Sequence, residues 1–69
     1  MLSLMDADFR EVETAIRWEI KEHLEKAAYW RTKYMEQPFE VFDGLADRHQ
    51  ALAESLERGW QEIVRRFTS

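Results

Sequence analysis

Two apolar stripes with helical spacing, separated by a single proline, constrain this chain more than anything else in it. Phe9, Val12, Ile16, Ile20, His23, Ala27, Trp30 and Tyr34 follow one another in steps of three and four. Phe42, Leu45, His49, Leu52, Leu56, Trp60, Ile63 and Phe67 do the same, and Pro38 lies between the two sets. That period lines up one face of an α-helix. Two such faces joined by a short break predict an all-α, antiparallel two-helix hairpin.

The first helix is expected over about residues 4–36, because the residue ahead of a proline resists helical angles. Ser3 and Asp6 have the spacing of a capping box at its start, with aspartate in place of the usual glutamate. The turn is expected near 37–38 and the second helix over about 39–67. Pro38 fits the first turn of that helix, where its missing N–H costs nothing. The alternative is a start at Asp43, with Gln37–Phe42 as a loop plugged by Phe39 and Phe42. It would remove Gly44 from a helix interior, where glycine costs about 1 kcal/mol. Gly59, beside Trp60, reads as a point of close helix approach or as room for a neighbouring ring.

Five acid–base pairs at i,i+4 support the helices: Asp6–Arg10, Glu13–Arg17, Glu22–Lys26, Glu54–Arg58 and Glu62–Arg66. Each contributes about 0.2–0.5 kcal/mol. The expected core is Phe9, Val12, Ile16, Ile20, Leu24, Ala27, Trp30, Tyr34, Phe42, Leu45, Leu52, Leu56, Trp60, Ile63 and Phe67.

At 69 residues there is room for one domain, whose core alone supplies only about 3–5 kcal/mol. There is no cysteine, which removes disulfides, thiolate metal sites and cysteine nucleophiles. That leaves oligomerisation, a complex with another protein, or an unusually well-packed hairpin. A homodimer of hairpins, closing into an antiparallel four-helix bundle, is expected.

His23 and His49 fall at the centres of the two stripes. With a tight turn, residues lie level when their numbers sum to about 72–74, so the two imidazoles meet inside the hairpin. They are read first as a hydrogen-bonded pair that fixes register, as polar core residues do in coiled coils. A pH-sensitive bundle is a second reading, since burial disfavours imidazolium. A metal site using His23, His49 and Glu19 is a third. It lacks the Glu-x-x-His pattern of di-iron bundles, because positions 20 and 46 are Ile and Ala. No metal or other cofactor is expected.

The back of helix one carries Trp18 and Tyr29, eleven residues and about 16 Å apart on one line. Leu4 lies roughly on that line, and Glu11, Glu22, Glu25 and Glu36 flank it. The back of helix two offers Asp47, Glu54, Arg58 and Arg65, without a large apolar group. Tryptophan and tyrosine are enriched at binding hot spots. Trp18, Tyr29, Glu11, Glu22 and Glu25 are the candidate face for a basic protein partner.

Catalysis is not expected. A two-helix hairpin has no enclosing pocket, none of Ser3, Ser55 and Ser69 sits in a GxSxG turn, and neither a phosphate loop nor HExxH occurs. Fourteen acidic residues against ten basic give a net charge of −4, which opposes nucleic-acid binding despite Arg58, Arg65 and Arg66. An acidic nucleic-acid mimic is a further alternative, although the charges are interleaved and the bias is mild. No run of about 18 apolar residues is present to span a membrane, no secretory signal is apparent, and the default compartment is the cytoplasm. The sequence thus points to a small non-catalytic adaptor, accessory subunit or inhibitor that acts through its helix faces.

Overall fold

A computed structural model describes the backbone of residues 2–68 and the side chains of residues 7–67. It contains two helices, α1 (Leu2–Glu36) and α2 (Glu40–Thr68), packed against each other as a hairpin. α1 begins ahead of Ser3. The expected Ser3–Asp6 cap, the Asp6–Arg10 pair and Leu4 rest on side chains outside the described residues.

The connection is residues 37–39, one residue longer than the turn expected at 37–38 and shorter than the Gln37–Phe42 loop of the alternative. Gln37 N–H donates to Lys33 O at 2.8 Å, which completes the last turn of α1, and Phe39 N–H donates to Gln37 O at 2.7 Å. Phe42 N–H then donates to Phe39 O at 3.0 Å, so Phe39 occupies the N-cap position. Pro38 therefore stands just outside α2 instead of in its first turn, because the two reversals on either side of it complete the turn. Asp43 does not start the helix. It lies in the first turn with Glu40, where a carboxylate complements the positive end of the dipole. Phe39 is exposed, while Phe42 is half-buried against Trp30 with ring centres 5.5 Å apart. Both glycines sit inside α2 with no positive φ.

Only Ala27, Ala46, Ala53 and Trp60 are buried among the described residues. The helices approach along a line of small side chains, and Ala46, Ala53 and Trp60 recur every seven residues along it. This corrects the expected core. Ile16, Ile20, Leu45, Leu56 and Ile63 are half-covered, while Val12, Leu24, Tyr34, Leu52 and Phe67 retain 37% to 58% of their surface. Two helices have a single contact line, and apolar residues more than a quarter-turn from it have nothing to meet.

The result is a rod with extents of 54 × 17 × 11 Å. Its radius of gyration is 15.9 Å, against about 11 Å for a compact domain of this length. Glu13 and Arg17 close their predicted ion pair at 3.5 Å. Glu62 lies 3.4 Å from Arg65, and Glu54 accepts from the Gln50 amide at 3.1 Å. These exposed pairs each contribute at most about 1 kcal/mol.

Candidate functional site: a histidine pair and two uncovered faces

The short turn preserves the predicted register. His23 on α1 and His49 on α2 meet at mid-length, with Nδ1 to Nδ1 at 2.9 Å. Their ring centres are 5.2 Å apart, which exceeds the nitrogen separation by 2.3 Å. That excess is the length of two centre-to-corner distances in a five-membered ring. The nitrogens therefore lie on the line joining the ring centres, and the rings meet edge to edge.

This geometry matches the first of the sequence readings, the hydrogen-bonded pair. Two imidazoles on a tetrahedral zinc ion would hold their nitrogens about 3.3 Å apart, from bonds of about 2.0–2.1 Å each. At 2.9 Å the gap takes a hydrogen bond. Glu19 does not join the two Nδ1 atoms either, because its carboxylate lies 3.9 Å from Nε2, on the other side of the His23 ring. Among the described residues no three acidic or histidine side chains converge as metal ligands.

His49 has its pKa lowered from the ordinary value, chiefly by burial, then by the nearby charges of His23, Lys26 and Arg48. The sequence reading placed Lys26 only in a pair with Glu22, and it did not set Lys26 or Arg48 beside the histidines. Their signal was available, one being three residues after His23 on the same helix and the other adjacent to His49.

The back of α1 is as the spacing predicted. Trp18 and Tyr29 are 58% and 53% exposed. Each is partnered by a lysine one turn away: the Lys21 ammonium lies 5.8 Å from the Trp18 ring centre, and that of Lys33 lies 5.6 Å from Tyr29. Tyr29 also meets the edge of Trp30 with centres 5.0 Å apart. Glu11 and Glu25 are exposed beside this line, and Glu22 is half-buried. The ridge is thus aromatic with both signs of charge along its flanks.

No family model matches this chain, nor does any curated protein or solved structure. The faces of the hairpin therefore carry the functional reading alone.

At 100° per residue, Val12 on α1 and Val41, Leu45, Leu52, Leu56 and Ile63 on α2 fall on one flank of the seam. Gly59 lies in the same row. A Cβ at Gly59 would meet nothing within 4 Å, nor would one at Gly44. The close approach expected at Gly59 is consequently not made inside the hairpin. On the opposite flank Leu24 and Ile20 line an open groove of about 360 Å³ with Ala28, Arg17, Lys21 and Glu57. At the open end of the hairpin, Phe9, Val12, Trp60, Ile63 and Phe67 surround a cleft of about 220 Å³. Phe9 sits there between Trp60 and Phe67, at 4.9 and 5.5 Å between ring centres. Across the described residues, no helix is long and apolar enough to cross a membrane.

Proposed function

We propose that this chain is a small non-catalytic protein-interaction module, serving as an adaptor, accessory subunit or inhibitor. It acts as a pair of hairpins closed into a four-helix bundle and offers the Trp18–Tyr29 ridge to a protein partner. The observation that carries this reading is the apolar surface left uncovered by the hairpin. A folded monomer of 8.4 kDa exposes about 4,600 Å², whereas this chain exposes 5672 Å². The excess of about 1,000 Å² is total surface exposed by the rod shape, and it is large enough to include one side of a standard interface, about 800 Å².

A second copy is the occupant that satisfies this surface best. It brings the same apolar row to a self-complementary contact, as two-fold interfaces do. Gly59 in that row lets backbone approach backbone. The ridge lies on the back of α1, away from the seam, and stays available once the bundle is closed. Its exposed aromatics are the residue types that anchor interfaces, and Glu11, Glu22, Glu25 and Glu36 favour a basic surface opposite.

Sedimentation equilibrium over a hundredfold range of concentration tests the assembly. The expected mass at the upper end is twice the chain's 8.4 kDa, and a monomer throughout overturns the bundle. Trp18→Ala combined with Tyr29→Ala is expected to leave mass and helicity unchanged. Loss of the dimer in that variant would place the ridge inside the bundle and remove it as a partner face.

A further inference from the structure

We propose that His23 and His49 form a proton-operated catch, which holds the hairpin at mid-length through one shared proton and opens when both rings are charged. The inference goes beyond the interaction role and is independent of it, since both histidines belong to one chain.

The in-line contact accommodates a single hydrogen between the two Nδ1 atoms, 2.9 Å apart. One ring must donate and the other must accept, so the two neutral imidazoles carry their protons differently. The Glu19 carboxylate beside His23 Nε2, at 3.9 Å, favours a proton on that nitrogen. His23 then presents a bare Nδ1, and His49 donates its Nδ1–H across the seam. That leaves His49 Nε2 as the nitrogen of the pair with neither a proton nor a share in the bond across the seam. A first added proton binds there and leaves the Nδ1–H···Nδ1 bond in place. A second has only the accepting Nδ1 of His23 to bind. Two N–H groups would then point at each other at hydrogen-bond distance, and the bond is lost.

The surroundings make the second charge costly. His49 is faced by His23 and Lys26 from α1 and by Arg48 on its own helix. Among the described residues the carboxylate against the pair is Glu19, which is itself mostly exposed and sits behind His23. Full protonation thus gathers four cations around the seam against one screened anion. Burial and these cations lower the His49 pKa, so the folded chain takes up fewer protons than the unfolded one below the unfolded value of about 6.5. The stability due to neutral His49 is fully present above that pH and is lost as pH falls through the folded pKa.

Nitrogen-15 NMR of the full chain, titrated from about pH 8 to about pH 4 across the ordinary histidine range, tests the catch directly. A scalar coupling between the two Nδ1 atoms is expected at high pH. Proton uptake is expected in two steps separated by more than about one pH unit, as for strongly interacting sites. The coupling should survive the first step, over which the melting temperature begins to fall, and vanish with the second, where the fall steepens. Both rings titrating together near about 6.5, with no coupling, would overturn the proposal. His23→Gln combined with His49→Gln keeps a neutral polar pair that cannot titrate. It should abolish the fall in melting temperature over that range, and an undiminished fall would assign it to carboxylates and defeat the catch.

Discussion

Gly44 and Gly59 are both interior to α2, both have helical backbone, and both have open space where a Cβ would be. In an isolated hairpin their replacement by alanine is therefore governed by helix propensity alone, and each should stabilise by about 1 kcal/mol. For a domain of this size that corresponds to a rise of about 4–8 °C in melting temperature. The two sites differ in position. Gly44 lies on the back of α2, whereas Gly59 lies in the apolar row assigned to the second copy. Gly44→Ala is expected to show the full rise at every concentration. In the proposed bundle Gly59→Ala would insert a methyl group between two backbones, so it should shift the sedimentation profile toward monomer and forfeit the rise. Circular-dichroism melts across a concentration series, run beside sedimentation, read both quantities. An equal rise for the two variants with unchanged mass would refute the placement of the association face. A flat response at Gly44 would refute the simpler premise that a glycine there is merely a weak helix former.

Two further substitutions probe the seam. Trp60 is the one large side chain fully buried among the described residues, so Trp60→Ala should cost about 3–5 kcal/mol. That equals what a core of this size supplies, about 3–5 kcal/mol, and the expected outcome by circular dichroism is a largely unfolded chain. Ala46→Leu overfills the closest helix approach and should cost about 1–3 kcal/mol. Because Ala46 is one turn from His49, it should also weaken the Nδ1–Nδ1 coupling seen by NMR.

The hairpin and the histidine pair were legible in the sequence for the same reason. A three-four period fixes which face of each helix is apolar, and a short turn fixes which residues lie level. His23 and His49 sum to 72, as do Trp30 and Phe42, and both pairs are in contact. The burial pattern was not legible from large side chains. Leu24 and Leu52 look like core residues by type, yet Ala46 and Ala53 take the contact line because small residues let two helices come closest. The seven-residue spacing of Ala46, Ala53 and Trp60 was the available signal. The start of α2 was legible to within one residue, and Pro38 falls just outside its first turn because main-chain bonds around Gln37 and Phe39 close the turn without any side-chain signature. Spacing alone foretold the exposure of Trp18 and Tyr29, and basic side chains over such rings are an ordinary cover for an exposed aromatic, supplied here by Lys21 and Lys33.

The three-residue connection between Glu36 and Glu40 brings the chain back to where it began. The first and last described residues sit together at one extremity of a rod 54 Å long. Met35, Phe39 and Val41, all more than half exposed, sit at the other. A tag, dye or surface linker attached at either terminus would therefore hold the rod by the same end. It would leave the turn free at the far tip, as a probe held at the full length of the molecule from its anchor.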